Sequence, residues 1–385
     1  MCSRQFLTAA AAAAATIFAP PCLAATDARV QAALALDTPC NGVSTTPDGR
    51  LFVLYARVDG TQAQGLPEVV EWVNGTGVPY PDARWNSYAA GADPAVTLVH
   101  VNSQRVGPDG SLWLVDTGTP GFGAPVILPE GPKLVVVDTV ADTVSRVYHM
   151  GNVTKSDSLL DDIRFNWAAG KAYLTDAGVG ALIVLDLETG RAVRLLEGHL
   201  SVQAFTPASG EGKYLRKTGR TGSSPSSFSY MYADQLEVSP DARYLYYQPA
   251  SGGMSRIETA RLDEAFYNSS AASLDVLGGH VEPFALTPGT GGTAIDAEGS
   301  LYVSDTDRQA VEKVYANGTR ATLVRDERLL WVDAMWIDGM GRLWMPAAQL
   351  NRGVPFSTSG ESGIVKPLYV FLIDIGVGPS PIDHE

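Results

Sequence analysis

A short strand pattern that recurs six times constrains the fold of this chain more than any other feature. Each copy places a tight turn, Pro-Asp-Gly in the first two copies, before a run of apolar residues typical of a buried or half-buried strand. The copies lie at residues 47–53, 108–114, 168–174, 240–246, 297–303 and 339–345. They are 42 to 72 residues apart, and repeats of this length with several short strands each are typical of propeller blades. The sequence therefore predicts an all-β, six-bladed β-propeller.

The two ends of the chain are predicted to complete the ring. An apolar segment at residues 30–36 and a strand around Phe371 both lack a repeat of their own. Closing a ring of blades removes exposed sheet edges, so we expect these two segments to pair within one blade. The mature chain, residues 26–385, is then a single propeller domain.

Residues 1–25 have the order of features found in an export signal. Arg4 precedes an Ala-rich apolar run, which ends in small residues at Ala24 and Ala25, where cleavage is expected. Removing this segment leaves Cys40 as the single cysteine, so the mature protein has no internal disulfide, and Cys40 is interpreted as a small buried residue. The sequence predicts a secreted or periplasmic protein.

The charge balance restricts the partners. With 28 basic and 42 acidic side chains, the chain has a net charge of −14. An acidic surface repels phosphate backbones and anionic lipids, so no nucleic-acid partner and no membrane partner are expected. A small molecule is the predicted partner, and the protein is expected to be a monomer.

Acid and amide residues occur at one fixed place in the repeat. The position eight residues before the turn glycine (or Ala242 in the fourth copy) is occupied by Asn41, Asn102, Asp162, Asp234, Gly291 and Asp333. Equal offsets in equivalent blades place these side chains around one central channel. A second set six residues after the turn, Asp116, Asp176 and Asp305, is interpreted as structural, because Asp caps the turn that follows a strand.

Clustered carboxylates in a narrow channel require a cation or protonation. Oxygen ligands favour a hard ion, so Ca²⁺ is predicted ahead of Mg²⁺ or Mn²⁺, whereas the five histidines show no spacing typical of a zinc site. The predicted metal ligands are Asn41, Asn102, Asp162, Asp234 and Asp333. The alternative is a structural plug in which the same residues cap turns and bind ordered water.

Residues near the channel set are candidates for ligand binding. Two residues before it lie His100, Tyr232 and Trp331, which are predicted to form a rim with aromatic walls and one titratable group. Gln104, in the segment that follows His100, is also predicted to contact the ligand.

Several segments resemble the Yellow/major royal jelly protein family. They are VHVNSQR (99–105), DGSLWLVDTG (109–118), SLLDDI (158–163), LEVSPDARYLYY (236–247), DAM (333–335) and GRLW (341–344). The resemblance implies a secreted six-bladed propeller that binds small ligands such as amines, and some insect members are linked to dopachrome conversion. The paired cysteines of the insect proteins are missing here, which suggests a bacterial branch.

A more distant similarity is to the gluconolactonase/senescence-marker propellers. In that group a divalent metal is held in the channel by acid and amide side chains, and an Asp is proposed as the base. Asn41 stands where that family has a glutamate, and Gly291 supplies no ligand.

The resulting function hypotheses concern a small molecule at the channel. One is an enzyme, either a divalent-metal-dependent lactone hydrolase with Asp234 or Asp333 as general base, or a dopachrome-type tautomerase that uses His100 or a channel Asp. The other is a non-catalytic protein that binds a small amine or aromatic ligand against Tyr232 and Trp331.

Overall fold

The computed structural model describes residues 26–60, 65–217 and 227–384, and the predicted signal segment lies outside these ranges. The first strands in chain order form the N-terminal closing strand and blades one to three. They are β1 (Gln31–Leu36); β2 (Cys40–Thr45), β3 (Leu51–Tyr55), β4 (Val69–Val73) and β5 (Thr76–Pro79); β6 (Val101–Val106), β7 (Leu112–Asp116), β8 (Lys133–Asp138) and β9 (Thr143–His149); and β10 (Leu160–Asn166), β11 (Lys171–Asp176), β12 (Ala181–Asp186) and β13 (Ala192–Leu195).

Two short hairpins follow blade three. They comprise β14 (Ser209–Gly210) with β15 (Lys213–Tyr214), and β16 (Arg216–Lys217) with β17 (Ser227–Phe228).

Blades four to six complete the ring. Their strands are β18 (Ala233–Val238), β19 (Tyr244–Pro249), β20 (Met254–Glu258) and β21 (Glu282–Ala285); β22 (Thr293–Ile295), β23 (Leu301–Asp305), β24 (Ala310–Val314) and β25 (Arg320–Arg325); and β26 (Trp336–Ile337), β27 (Arg342–Pro346) and β28 (Leu368–Asp374). The described helices are α1 (Thr259–Tyr267), α2 (Leu274–Gly278) and 3₁₀ turns at Gly151–Val153, Trp167–Ala169, Leu200–Val202, Leu350–Arg352 and Val354–Phe356.

The six blades are four-stranded antiparallel sheets, which confirms the predicted six-bladed propeller. The N-terminal strand β1 pairs antiparallel with the C-terminal strand β28, so that Gln31 lies opposite Leu372 and Leu36 opposite Leu368. This pairing confirms the predicted closure of the ring by the two ends of the chain. It also protects both strands from edge-to-edge association with another molecule.

Buried side chains between neighbouring blades form the core. Between blades two and three, for example, Trp113 packs edge-on against Phe165, with ring centroids 5.1 Å apart, in a cluster that also contains Leu174 and Ile183. Cys40 is buried and free, as predicted, and burial raises the pKa of its thiol. The alternation of apolar residues along the strands thus fills the spaces between blades, while the inner strands face the channel.

Asp116 and Asp176, each six residues after its turn, have the structural role that the sequence indicates. Asp116 accepts hydrogen bonds from the backbone of Val99, His100 and Gly118, and it pairs with the fully buried Lys133. Asp176 accepts equivalent bonds from Leu159 and Gly178. These carboxylates join the second strand of a blade to the segment that enters it.

Candidate functional site

The channel residues lie at irregularities of the innermost strands. In blades one, two and four the register between the first two strands shifts at a single residue, which is Asn41, Asn102 and Asp234 respectively. A residue at such a bulge is left out of the ladder, and its side chain can be turned in a new direction. In the sixth blade Asp333 lies just before β26, and Gly291 lies at the start of the fifth blade.

The third blade requires a correction to the fixed-offset count. Its inner strand β10 has seven residues, whereas β2, β6 and β18 have six each. The register shift there lies between Leu160 and Ile163, so the residue that follows the last paired position is Asp161. Asp161, and not Asp162, is therefore the equivalent of Asn41, Asn102 and Asp234. Counting back from the turn placed the candidate one residue too late because the strand is one residue longer.

These residues line one cavity of about 80 Å³ at the end of the channel. We call it the channel cavity; its lining includes Asn41, Asn102, Asp161, Asp162, Asp234, Gly291, Trp331 and Asp333. Apolar side chains complete the wall, namely Val58, Phe122, Leu159, Met231, Leu350 and Phe356. The volume is enough for a few water molecules or for one end of a small ligand.

Three of the carboxyl groups have raised pKa values. Burial, followed by the nearby carboxylates of Asp234, Asp162 and Asp333, raises the pKa of Asp161 well above its ordinary value. Burial raises the pKa of Asp234 to about 7 and raises that of Asp333 as well. Asp161 and Asp234 also share a hydrogen bond, which requires a proton on one of them. Burial therefore favours the protonated form of these carboxyl groups in the channel cavity.

Asp162 is held differently. Burial acts to raise its pKa, but Arg164 and Arg105 outweigh burial and lower it. Its carboxylate accepts hydrogen bonds from the Ser103 hydroxyl and from the Arg164 guanidinium, at 2.6 Å each. Asp162 therefore lines the cavity as an ionised carboxylate.

Below that layer, charged groups from several blades meet the C-terminal segment. Arg164 of β10 makes two hydrogen bonds of 2.8 Å to Glu237 of β18. Arg105 of β6 donates hydrogen bonds to both carboxylate oxygens of Asp383, and the neighbouring His384 ring stacks on Trp336 at 3.5 Å between centroids. All of these side chains are buried. We call Arg105, Arg164, Glu237, Asp383 and His384 the plug network, because hydrogen bonds there join the C-terminal segment to inner strands β6 and β26.

The predicted ligand residues are distributed unevenly. Trp331 lines the channel cavity, and its indole nitrogen donates a hydrogen bond of 3.0 Å to Asp333. His100 lines two neighbouring pockets instead, and burial followed by Arg57 lowers its pKa to about 4. Tyr232 and Gln104 are outside the channel-cavity lining, and Gln104 is buried, with no hydrogen-bond partner for its amide atoms in the described part of the chain. Of the rim residues, the structure thus brings only Trp331 to the channel acids.

Sequence reasoning missed Asp161 and the apolar wall. Asp161 was hidden by the longer third inner strand, although the Asp-Asp pair at 161–162 was visible in the sequence. Phe122 and Phe356 come from loops outside the repeat and pack edge-on against each other at 5.2 Å between centroids. No repeat position could have indicated them, because loops between strands carry no periodic signal.

A glycine occupies the channel position of the fifth blade, at Gly291, for a steric reason. A Cβ there would lie 2.6 Å from the Val332 carbonyl oxygen and 2.8 Å from the Trp331 indole nitrogen. We expect Gly291→Ala to lower the free energy of unfolding by about 1–3 kcal/mol, since neither neighbour can move without disturbing the cavity wall. Urea unfolding followed by tryptophan fluorescence measures this. Gly339→Ala is the control, because a Cβ at Gly339 meets nothing within 4 Å; equal effects of the two substitutions would contradict the steric explanation.

The donor set of the cavity is compatible with a hard cation. It consists of carboxylate and amide oxygens, and the buried Asn41 Oδ1 has no hydrogen-bond partner among the residues that the structure describes. Within residues 26–60, 65–217 and 227–384, however, no three carboxylate, imidazole or thiolate side chains are grouped closely enough to hold a metal by themselves. Amide oxygens and water would have to complete the coordination of an ion there.

Comparisons with known proteins agree with this architecture. Protein yellow of Drosophila melanogaster is 30% identical over 158 residues, covering 38% of this chain and 28% of that protein. The match therefore spans little more than a quarter of that relative's length.

Among solved structures, a luciferin-regenerating enzyme superposes with a TM-score of 0.52 at 13% identity, covering 91% of this chain and 96% of that chain. A gluconolactonase from Xanthomonas campestris superposes with a TM-score of 0.50 at 13% identity, covering 89% of both chains. At these identities the likeness concerns the fold alone.

Two further observations concern the whole chain. The described part of the chain contains no helix long and apolar enough to cross a membrane. A family model described as major royal jelly protein matches residues 101–355, from the inner strand of blade two to the loop before β28. This match covers well over half of the sequence, and the chain belongs to the major royal jelly protein family.

Proposed function

We propose that this protein binds a small molecule at the channel cavity and catalyses a proton transfer on it, as a tautomerase of the dopachrome type does. The observation that carries the proposal is the group Asp161, Asp234 and Asp333, three carboxyl groups with raised pKa values in one small cavity. A general acid or base works best when its pKa is near the working pH. Perturbed carboxyl groups in a cavity are typical of catalytic sites.

A tautomerisation needs one group that accepts a proton and one that donates a proton. In this proposal the ionised Asp234 takes a proton from one atom of the ligand, and the protonated Asp161 returns a proton to another atom. The charges of the pair are then exchanged, and the net proton count is unchanged. Asp333, oriented by the Trp331 indole, contributes a third carboxyl group at the same cavity.

A divalent cation is a second proposal for the same residues. Asn41, Asn102, Asp161, Asp234 and Asp333 are the residues that would hold Ca²⁺, and the unpartnered Asn41 Oδ1 favours this. A bound Ca²⁺ supplies a Lewis acid able to polarise a carbonyl group, which is the requirement for lactone hydrolysis. The gluconolactonase superposition supplies the lactone as a test substrate.

The decisive experiment compares Asp234→Asn with the wild-type protein on dopachrome and on a set of aldonolactones, with Ca²⁺ and with a chelator. We expect turnover that falls about a hundredfold in Asp234→Asn, because a neutral amide cannot accept the proton. Asp275→Asn, an exposed acid on α2, is the matched control. Turnover of dopachrome that survives chelation favours the tautomerase, whereas loss of lactone turnover on chelation favours the metal-dependent hydrolase.

A non-catalytic binding protein remains the alternative, supported by the apolar wall of Phe122, Met231 and Phe356. Saturable binding of an aromatic amine with no turnover of either substrate class would establish it.

We also propose that the protein is exported, on the basis of residues 1–25 together with family membership. Detection of a mature N-terminus at residue 25 or 26 in the extracellular or periplasmic fraction tests this proposal.

A further inference from the structure

A large pocket, formed by blade one and by the segment that leads into blade two, takes no part in the proposed reaction. This outer pocket has a volume of about 640 Å³, whereas the channel cavity has about 80 Å³. The two cavities have no lining residue in common. The apolar part of the outer-pocket wall includes Leu66, Pro67, Pro79, Tyr88, Leu98 and Pro120. A pocket of this size and character is typical of sites for drug-sized molecules.

The wall of the outer pocket is held in place by Asn86. The side-chain oxygen of Asn86 accepts hydrogen bonds from the backbone N–H groups of Glu68 and Val69, at 2.8 and 3.1 Å. Its side-chain nitrogen donates to the backbone carbonyls of Tyr80 and Asp82, at 3.0 Å each. One side chain therefore ties the segment before blade two to strand β4 of blade one, and the pocket is formed before a ligand enters it.

The charged groups in this wall cancel. Arg57 forms an ion pair with Glu68, and its Nη1 also donates a hydrogen bond of 3.1 Å to the Leu66 carbonyl. The other basic group of the lining is His100. Burial, followed by the nearby Arg57, lowers the pKa of His100 to about 4, so the imidazole is neutral at pH 7. Since the wall has no spare charge to pair with an ion, a neutral ligand loses less hydration free energy on entry than a charged one.

His100 contributes an imidazole that the fold itself does not use. The backbone N–H of His100 donates to the Asp116 carboxylate at 3.0 Å, and its carbonyl oxygen accepts a hydrogen bond from the Thr117 hydroxyl at 3.0 Å. These bonds fix the backbone, whereas the ring nitrogens form no hydrogen bond with any residue in the described ranges. A neutral imidazole offers one N–H donor and one acceptor. Either ring nitrogen can therefore pair with a hydroxyl group, which itself both donates and accepts.

We propose that the outer pocket binds a neutral, largely apolar small molecule whose hydroxyl group forms a hydrogen bond with the His100 imidazole. This site goes beyond the proposed function and does not depend on it, because the outer pocket and the channel cavity have separate linings. His100 is the specificity-determining residue of the site, since a neutral imidazole in a wall without net charge favours a hydroxyl group over an ionic one.

Calorimetric titration at pH 7 with three compounds of one ring system tests the proposal. 2-Naphthol is neutral and carries a hydroxyl group, 2-naphthoate is an anion, and 2-naphthylmethylamine is a cation at this pH. We expect 2-naphthol to bind about tenfold or more tightly than either ion, because an ion would lose its hydration without gaining a partner. In His100→Phe, which keeps an aromatic ring but removes both nitrogens, the affinity for 2-naphthol should fall about fivefold.

Two further substitutions locate the bound probe. Ala90 is an exposed residue of the outer-pocket lining, so Ala90→Trp should occupy the pocket and weaken 2-naphthol binding about tenfold or more. Ala124→Trp is the matched control, because Ala124 lines a neighbouring pocket of about 290 Å³ that His100 also lines, but not the outer pocket. This control should bind 2-naphthol as the wild-type protein does.

Each part of the proposal has a result that overturns it. Wild-type affinity in Ala90→Trp, or a loss confined to Ala124→Trp, would overturn the outer pocket as the site. Equal affinity for 2-naphthol and either ion would overturn the neutral ligand class, and unchanged affinity in His100→Phe would overturn the role of the imidazole. Asp234→Asn should bind 2-naphthol normally, and a loss there would place the probe in the channel cavity instead. Absence of 2-naphthol binding, with turnover still sensitive to Asp234→Asn, would overturn this inference and leave the proposed function standing.

Discussion

Arg164→Met is expected to lower the free energy of unfolding by about 3–5 kcal/mol, because it leaves buried carboxylates without their cation. The Arg164 side chain is 2% exposed and bonds to Glu237, which is fully buried, and to Asp162. Methionine fills a similar volume, so the effect isolates the charge and its hydrogen bonds. Removing one partner of a buried pair costs far more than the pair itself contributes, since the remaining charge cannot reach water.

Urea unfolding at pH 7 measures the effect, with Arg243→Met as the matched control. Arg243 pairs with Glu258 at 3.0 Å, but the two side chains are 60% and 36% exposed. An exposed pair contributes about 0–1 kcal/mol, so the control should change little. The double variant Arg164→Met/Glu237→Gln should recover part of the loss, because it removes the orphaned charge. A cost below about 1 kcal/mol for Arg164→Met would contradict the buried plug network.

Asp383→Asn is expected to cost about 3 kcal/mol, since it removes the charge that the buried Arg105 guanidinium faces. The Arg105 Nε and a terminal nitrogen lie 2.8 Å from the two oxygens of Asp383. The neighbouring His384 donates a hydrogen bond from Nε2 to the Ile337 carbonyl and stacks on Trp336, so release of the tail should also change tryptophan fluorescence. Asp374→Asn, at an exposed acid at the end of β28, is the control.

Asp383→Asn is also expected to change how the free energy of unfolding depends on pH. Burial acts to raise the pKa of Asp383, but Arg105, His384 and Arg164 outweigh it and lower the pKa below its ordinary value. A carboxyl group with a lowered pKa in the folded state contributes stability above its unfolded pKa, near 4, and loses it as the pH falls below that value. The wild-type protein should therefore lose its advantage over Asp383→Asn on acidification. A difference between the two proteins that is constant from pH 7 to pH 3 would contradict this.

How far the sequence could predict this site depends on the kind of signal that each residue carries. Asn41, Asn102, Asp234 and Asp333 were predictable because a repeat places equivalent residues at equivalent offsets. Asp161 was missed, and Asp162 was named in its place, because one extra residue in β10 breaks the count and only the strand register reveals it. Phe122 and Phe356 lie outside the repeat, so no periodicity points to them. The plug network joins residues from both halves of the chain, and Arg105 and Asp383 are separated by 278 positions.

The amino-acid sequence alone determined the number of blades, the class of fold, the closing pair of terminal segments and the acid-rich character of the channel. These properties follow from the local sequence pattern, because a turn followed by an apolar strand forms the same hairpin in each copy of the repeat. The tertiary structure decided which carboxyl groups are paired with arginine and which share protons, and which pockets adjoin. The reason is that pKa values and cavities depend on burial and on neighbours from other blades, and these neighbours are brought together only when the ring closes.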